Sequence, residues 1–390
     1  MVGGGQLARM THQAAVALGQ SLRVLAADPG DPAALVCPDV VLGAHTDLAA
    51  LRAAAQGATA LTFDHEHVPQ EHLAVLVAEG VCVLPPPHAL VHAQDKLVMR
   101  RRLRELGVLV PPFSGVRGAP DVLAFGDEYG WPCVLKAVRG GYDGRGVWLL
   151  DRDQVDEVVG VQLAAGTPLM VEQRVDFTRE LAAVVARSSF GQGASWPVVQ
   201  TVQRAGICAL VLAPAPGLAP ELAEQAEQLA LRIAAELGVV GVLAVELFET
   251  RGADGRPGRL LVNELAMRPH NSGHWSIEGA RTSQFEQHLR AVLDYPLGDT
   301  SMTAPTVVMV NVLGAPHPPP MCLDERVHHL FARLPEAKLH LYGKVARPGR
   351  KVGHVSVLGQ DVHDVRERAE RAAHWMSHAE WTDGWDPHSA

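Results

Sequence analysis

The sequence predicts a protein of several packed units, a parallel α/β unit followed by α+β units. The chain has 390 residues, which is too long for one ordinary hydrophobic core and predicts roughly two to four units. Up to the proline cluster at 85–87, strand-like apolar runs alternate with alanine-rich stretches, the βαβ pattern of a parallel sheet. After the prolines at 111–112, the pattern changes to short strands separated by glycine-rich turns.

The composition is that of a folded, water-soluble protein. Hydrophobic residues make up 47% and charged residues 20%, which argues against disordered and fibrous classes. The formal net charge of -9 lacks the basic stripe that attachment to nucleic acid or an anionic membrane needs. No run reaches the roughly 18 apolar residues of a membrane helix. The five cysteines show neither metal-ligand nor redox-motif spacing. We therefore expect a cytoplasmic protein without nucleic-acid or membrane partners.

The first unit is expected to span residues 1–93. A glycine turn leads into a helix from 8 to 18, and the segments 21–27 and 58–63 are predicted strands of the parallel sheet. Hardly any strand precedes the glycine turn, although such a turn normally follows a run of roughly four to six apolar residues. We therefore expect that the true start of the protein lies upstream of Met1.

The second unit is expected to span residues 94–295 and the third 296–376. Their predicted elements are a helix at 94–107, strands at 132–138, 169–172 and 180–185, a helix at 221–237, and strands at 239–249, 259–265, 306–312 and 351–357. The tail at 377–390 is rich in Trp, His and Asp, and we expect it to be frayed.

Two carboxylates interrupt apolar strands of the second unit. Glu246 follows the apolar run 242–245, and Glu264 follows the run 260–262 after one polar residue. Turn residues at 252–258 predict a hairpin, in which a suitable register sets both carboxylates on one face. Two buried carboxylates repel unless a cation lies between them, and Mg²⁺ accepts such ligands. The alternative is that one glutamate faces solvent and the other meets an arginine.

Another charged side chain, Lys136, interrupts an apolar strand and precedes a glycine-rich loop. Four of the seven residues at 140–146 are glycines, so backbone N–H groups can close over phosphates while Lys136 and Arg145 supply positive charge. Many hairpins carry a glycine-rich turn, and the cationic strand residue is what strengthens this interpretation. The sequence has no P-loop motif, which excludes that solution to nucleotide binding.

A polar strand exit is the third candidate for nucleotide binding. The apolar run at 170–171 leads to the charged segment 172–174, and Glu180 follows. Backbone groups at such an exit can read the edge of adenine, and a later carboxylate can bind ribose hydroxyls. The alternative is an ordinary charged exit from a core.

The loop at 268–275 crowds cation, imidazole, amide and hydroxyl groups into eight residues directly after the Glu264 strand. Polar loops at strand ends are where binding sites are built, so substrate contact is favoured over a tight, self-bonded turn. The segment 64–67 ranks lower as a metal site, because adjacent strand residues point to opposite faces and cannot all reach one ion.

Five segments in chain order carry a family resemblance. They are the glycine turn 3–7, the strand end 66–68, the glycine loop 140–146, the strand end 263–264 with its loop 268–275, and the basic segment 347–354. Together they resemble the 5-(carboxyamino)imidazole ribonucleotide synthase family of the ATP-grasp superfamily. The resemblance runs from Gly3 to about Leu358, nearly the whole chain.

The resemblance implies an ATP-grasp fold with an N-terminal parallel-sheet domain (pre-ATP-grasp) and a small C-terminal domain. ATP would lie between two α+β lobes, with Mg²⁺, or Mn²⁺ in its place, bound by Glu246 and Glu264. The implied nucleotide-binding residues are Lys96, Lys136, Gly141, Tyr142, Asp143, Gly144, Arg145, Gly146, Val147, Glu172, Gln173, Arg174, Val175, Glu180, Gln203, Asn263 and Glu264.

The resemblance further implies ATP-dependent carboxylation of 5-aminoimidazole ribonucleotide with bicarbonate, through carboxyphosphate, in purine biosynthesis, by a homodimer. The implied residues around the ribonucleotide and the reacting groups are Glu66, Lys136, Tyr142, Asp143, Arg145, Arg268, His270, Asn271 and Lys351. A closing glycine loop would keep water from the short-lived carboxyphosphate.

The sequence departs from the family pattern at position 203, and two other functions are alternatives to the one implied by the resemblance. Gln203 stands where the family usually carries a histidine, so a contact there is neutral instead of titratable. Another ATP-grasp ligase, such as a formate-using glycinamide ribonucleotide transformylase, is disfavoured by the loop 268–275. A catalytically inactive ATP-binding module is disfavoured by the intact Lys136, Glu246 and Glu264.

Overall fold

The N-terminal unit is a parallel α/β layer, as the alternating pattern predicts. The computed structural model describes residues 1–141, 144–252 and 258–385. Isolated parallel bridges join Val2 to both Leu25 and Phe63, so the strand before the glycine turn is reduced to one residue. The strands of this unit are β1 (Arg23–Ala26) and β2 (Asp39–Leu42), and its helices are α1 (Gln6–Ala17), α2 (Leu48–Ala55), α3 (Gln70–Ala78) and α4 (Pro87–Gln94).

A small antiparallel sheet follows, with strand order β3-β6-β4-β5. Its strands are β3 (Phe113–Val116), β4 (Cys133–Ala137), β5 (Val147–Leu150) and β6 (Leu169–Gln173), and the helices beside it are α5 (Lys96–Glu105), α6 (Ala119–Tyr129) and α7 (Val155–Ala164). Alternating burial along β4 places Lys136 on its half-buried face, where it meets groups of the neighbouring strand β6. This sheet therefore forms one wall of the candidate site.

A nine-stranded sheet forms the centre of the molecule, in the order β12-β11-β7-β9-β10-β13-β15-β14 with β8 beside β7. Its strands are β7 (Phe177–Arg187), β8 (Gly193–Ser195), β9 (Val199–Arg204), β10 (Ile207–Ala213), β11 (Gly241–Thr250), β12 (Leu260–Ala266), β13 (Thr306–Leu313), β14 (Lys338–Leu341) and β15 (Lys351–Gly359). Because β10 pairs with β13, the strands predicted for the third unit continue the sheet of the second.

Five helices accompany the large sheet. They are α8 (Pro220–Glu236), α9 (Ser276–Gly279), α10 (Gln284–Val292), α11 (Leu323–Arg333) and α12 (Val362–His378). One apolar core includes Leu25 and Leu73 of the N-terminal unit together with Ile233 of α8 and Leu243 of β11, which fixes that unit against the large sheet. Among the residues described, no helix combines the length and apolarity needed to cross a bilayer.

The C-terminal tail differs from the expectation of a frayed end from 377. Helix α12 continues to His378 and closes with Ala379 in the left-handed region. Trp381 is then only 2% exposed, and its ring stacks on Trp375 at a centroid distance of 4.6 Å. The guanidinium of Arg333 lies 4.4 Å from the centre of the Trp381 ring. Packing of Trp381 against Trp375 and the distant Arg333 therefore holds the end of the chain against α12 and α11, and residues 386–390 lie outside the described part.

We expect Trp381→Ala to lower the free energy of unfolding by about 3 kcal/mol, because it removes a buried indole and leaves a cavity. Urea unfolding of the purified protein measures this. Trp385→Ala is the matched control, since Trp385 is 45% exposed, and its effect should stay below about 1 kcal/mol. Equal stability of the Trp381 variant and the unsubstituted protein would show that the tail does not pack in solution.

Candidate active site

The two carboxylates predicted to meet lie directly opposite each other. Strands β11 and β12 pair antiparallel with Glu246 facing Glu264, and a register shift follows immediately after this pair. Both side chains remain partly accessible from the cleft. The hairpin and the shared face are therefore confirmed, while residues 253–257 of the predicted turn fall outside the described part.

The pair is electrostatically unfavourable without a cation. Burial, the charge of Glu264 and the charge of Glu180 raise the pKa of Glu246 to about 8, and the positive charges of Lys351 and Lys136 offset this only in part. Mg²⁺ relieves such repulsion and needs only one or two carboxylates, because water and phosphate oxygens complete its octahedron. The donor set of the hairpin fits that ion.

Two lysines reach the same strand end from other elements. Lys96, the first residue of α5, donates to Oε1 of Glu264 at 3.0 Å. Lys136 of β4 donates to Oδ1 of Asn263 at 3.2 Å and forms an ion pair with Oε2 of Glu172 at 2.7 Å. The structure thus gathers two cations beside the carboxylate pair, where a polyphosphate would need them.

The glycine-rich loop leaves β4 next to these lysines. Gly141, Gly144, Arg145, Gly146 and Val147 are described, and Val147 begins β5. Gly144 has a φ of +76°, and a Cβ built on Gly206 would lie 3.0 Å from the Cα of Gly144. Backbone thus meets backbone where the loop touches the β9–β10 turn, which leaves no room for a side chain.

Two of the predicted loop residues, Tyr142 and Asp143, lie outside the described residues.

The predicted adenine segment divides into two environments. Glu172 is 2% exposed and binds Arg100 and Lys136, so its carboxylate is enclosed between two cations. Gln173, Arg174 and Val175 instead line a cleft of about 310 Å³ with Tyr129, Trp131 and Pro132. Residues 173–175 therefore line that cleft, whereas Glu172 does not.

Glu180 lies on the large sheet near Glu246. Burial raises the pKa of Glu180, and a hydrogen bond from the Gln203 side chain acts in the opposite direction. Gln203 therefore presents a neutral amide to the carboxylate of Glu180.

On the far side of the carboxylate pair, Arg268 joins the N-terminal unit to the large sheet. Its Nε lies 2.9 Å from Oε1 of Glu66. The two residues are 202 positions apart in sequence and were both predicted site residues. Lys351, the first residue of β15, is close enough to act on the titration of Glu246 and His270.

His270 and Asn271 follow Arg268 in the same loop. Nε2 of His270 lies 3.5 Å from Oε1 of Glu246, and burial together with Arg268 and Lys351 lowers the pKa of His270 to about 3. The imidazole is therefore neutral and contributes hydrogen bonds without adding charge. Asn271 donates to Oδ1 of Asn311 at 3.0 Å and accepts a hydrogen bond from the same amide at 2.8 Å.

Three family models match successive parts of the chain. They describe a ribonucleotide synthetase preATP-grasp domain at residues 1–94, an ATP-grasp domain at 101–285 and a phosphoribosylaminoimidazole carboxylase C-terminal domain at 307–368. The N5-carboxyaminoimidazole ribonucleotide synthase of Mycobacterium tuberculosis is 66% identical over 392 residues, covering all of this chain and 90% of the relative. The chain belongs to the N5-carboxyaminoimidazole ribonucleotide synthase family. The predicted family and the predicted ATP-grasp architecture are confirmed.

Solved structures of the family have the same fold. The ADP complex of an N5-carboxyaminoimidazole ribonucleotide synthetase superposes with a TM-score of 0.86 at 33% identity, covering 96% of this chain and 95% of the other. The Aspergillus clavatus enzyme in complex with ADP and 5-aminoimidazole ribonucleotide gives a TM-score of 0.84 at 30% identity, with 95% and 96% covered.

Sequence reasoning missed two residues that hold predicted ones in place. Arg100 binds Glu172. It follows Lys96 by four residues on α5, so the two side chains lie on one helix face, and this spacing could have predicted a role for Arg100. Asn311 of β13 fixes Asn271, and a polar residue inside the apolar run 306–312 was the available signal.

The strained carboxylate pair predicts a pH dependence in the metal-free protein. The pKa of Glu246 is raised in the folded state, so its contribution to stability is complete below the unfolded value near 4.3 and is lost as pH rises through about 8. We therefore expect Glu246→Gln to be more stable than the unsubstituted protein, by a margin that grows from about pH 5 to about pH 8.

Thermal unfolding in EDTA across this pH range measures that margin, and comparing two proteins cancels the titration of groups distant from the pair. Glu71→Gln is the control, because Glu71 is exposed on α3. A constant difference between the Glu246 variant and the unsubstituted protein would contradict repulsion at the pair.

Proposed function

We propose that the protein carboxylates 5-aminoimidazole ribonucleotide with bicarbonate, and that the residues named above do so in the roles given below. As a member of its family, the protein is an ATP-dependent carbon–nitrogen ligase of purine biosynthesis. The main support for the proposed residue roles is the opposed pair Glu246 and Glu264. Lys96 and Lys136 lie on one side of this pair, and the Arg268 loop lies on the other.

The nucleotide occupies the side of the small sheet. Gln173, Arg174 and Val175 hold the adenine end in their cleft, and Glu180 and Gln203 lie toward the ribose. Lys96, Lys136 and the glycine loop hold the phosphates, with Asn263 orienting Lys136. Glu246 and Glu264 would hold Mg²⁺, or Mn²⁺ in its place, and the bound ion would neutralise phosphate charge during transfer.

The reaction has two steps. An oxygen of bicarbonate takes the γ-phosphoryl group of ATP, which gives carboxyphosphate and ADP. The exocyclic amine then forms the new C–N bond to the carboxyl carbon, the carbon–oxygen bond to phosphate breaks, and the amine loses one proton while phosphate leaves. Carboxyphosphate must be kept from water, and the glycine loop that leaves β4 beside Lys136 supports this sequence because it could close over the phosphates.

The ribonucleotide occupies the opposite side. Arg268, Asn271 and Lys351 bind its anionic and polar groups, and Glu66 holds Arg268 in place. The neutral His270, 3.5 Å from Glu246, orients the substrate near the metal site without repelling a cation. The Aspergillus clavatus relative binds ADP and 5-aminoimidazole ribonucleotide together, which supports two adjoining sites here.

The same proposal extends to assembly, location and domain limits. Exposed apolar side chains of the N-terminal unit, such as Leu35 and Leu42, support a homodimer. Five cysteines, all free, support the cytoplasm. The limits 1–93, 94–295 and 296–376 are supported by family matches that end at 94 and 285 and resume at 307.

ADP release from purified protein with Mg²⁺-ATP, bicarbonate and 5-aminoimidazole ribonucleotide, each omitted in turn, tests the assigned reaction. We expect release to fall to the background rate when any one component is omitted. Release that continues at full rate without the ribonucleotide would indicate a different acceptor. No release from folded protein that binds ADP would indicate an inactive ATP-binding module.

Glu264→Gln is expected to lower turnover at least about 100-fold while leaving the free energy of unfolding nearly unchanged, because it removes a metal ligand but little volume. The measurements are steady-state ADP release and urea unfolding. Glu157→Gln is the control, since Glu157 is exposed on α7 away from the site. Normal turnover by the Glu264 variant would refute the metal assignment.

A further inference from the structure

Arg100 is a buried cation to which the proposed reaction gives no task. It lies in the middle of α5 with 1% of its surface exposed. Burying a guanidinium costs free energy, and replacing a buried ion pair by apolar residues is often neutral or stabilising. Stability alone is therefore a weak reason for a charge at this position.

The contacts of Arg100 lead to both walls of the nucleotide site. Its Nε donates to Oε1 of Glu172 on the small sheet at 2.6 Å. Its Nη1 donates to the carbonyl oxygen of Val262 on the large sheet at 3.2 Å. Val262 directly precedes Asn263 and Glu264 on β12. The guanidinium therefore connects β12, which carries the proposed metal ligand Glu264, to β6, which pairs with the strand of Lys136.

Glu172 joins Arg100 to Lys136. Its second oxygen, Oε2, lies 2.7 Å from Nζ of Lys136, and both Glu172 and Arg100 are almost completely buried. Burial alone would raise the pKa of Glu172, but Lys136 and Arg100 lower it to about 2, so it is an anion at every working pH. The three side chains thus carry two positive charges and one negative charge.

The net charge of these three side chains determines how strongly the group attracts a phosphate. With Arg100 present, the group has a net charge of +1, located at Lys136, whose Nζ also reaches Oδ1 of Asn263 at 3.2 Å. Without Arg100, Glu172 and Lys136 would form a neutral pair in a partly desolvated cleft, where Coulomb interactions are strong. Glu172 would then hold Lys136 and compete with a nucleotide for it.

We propose that Arg100 is a positioning residue for nucleotide binding: it neutralises Glu172 so that Lys136 keeps its positive charge for the phosphates. This inference rests on the proposed placement of the phosphates beside Lys136. Arg100 itself touches no substrate, because its side chain is buried behind Glu172.

Arg100→Met tests the charge, and Arg100→Lys tests the geometry. We expect Arg100→Met to raise KM for ATP and Kd for ADP at least about tenfold, with KM for the ribonucleotide changed less than about twofold. Arg100→Lys keeps the charge but cannot hold Glu172 and Val262 together, so its effect should be smaller. Arg101→Met on the exposed face of α5 is the control and should bind ADP normally.

The decisive variant is the double substitution Arg100→Met with Glu172→Gln. It removes one positive and one negative charge, so the net charge of +1 returns, and Lys136 keeps its hydrogen bond to Asn263. We expect it to bind ADP within about threefold of the unsubstituted protein. If Arg100 acted instead by tying Glu172 to the carbonyl oxygen of Val262, no such recovery would be expected, since that tie is lost in the double variant as well.

Direct ADP binding by calorimetry separates this inference from the assigned reaction, because it needs neither bicarbonate nor ribonucleotide. Normal ADP affinity of Arg100→Met, or equally weak affinity of the single and double variants when both are folded, would overturn the inference while leaving the reaction intact. If Arg100→Met does not fold, the double variant decides: the inference fails unless the double variant binds ADP within about threefold of the unsubstituted protein.

Discussion

The repulsion between Glu246 and Glu264 is the constraint on which the rest of the site depends. Ladder hydrogen bonds on both sides of β11 hold the two carboxylates opposite each other, so the backbone cannot separate them. Positive charge must come to the pair instead. It comes from Lys96 of α5 at 3.0 Å from Glu264, from Lys136 of β4, and from Lys351 at the start of β15. A divalent cation would complete this compensation.

The continuity of the large sheet explains how such distant segments meet. Strand β11 lies between β7, which carries Glu180, and β12, which carries Glu264. Through β10 and β13 the same sheet extends to β15, so Lys351 is fixed relative to the carboxylates by paired backbone. The N-terminal unit contributes Glu66 through its ion pair with Arg268 and is held against the sheet by a common core. The candidate site thus lies where residues of all three predicted units meet.

The sequence predicted those parts of the fold and site that depend on local pattern. A carboxylate or lysine inside an apolar strand marks a polar position on a buried face, which is why Glu246, Glu264 and Lys136 could be found. The hairpin was predicted from turn residues between two strands, and its observed register sets the two carboxylates opposite each other. By contrast, the partners of Glu172 come from a helix and another strand, and Trp381 is ordered by Trp375 and Arg333. Contacts between such separate elements leave no periodic signal in the sequence. Local pattern alone therefore allowed the segment 172–174 to be an ordinary charged strand end and predicted a frayed tail at 377–390.

Pairing also resolves how an acidic chain can bind anionic substrates. Several basic side chains of the site face a carboxylate: Lys96 faces Glu264, Lys136 and Arg100 face Glu172, and Arg268 faces Glu66. A phosphate placed beside these cations would meet side chains that carboxylates already hold in position. Because the carboxylates hold the cations in position, less side-chain entropy is lost when the anion binds. Affinity then depends on local charge counts such as the one around Glu172, and the net charge of -9 is no obstacle.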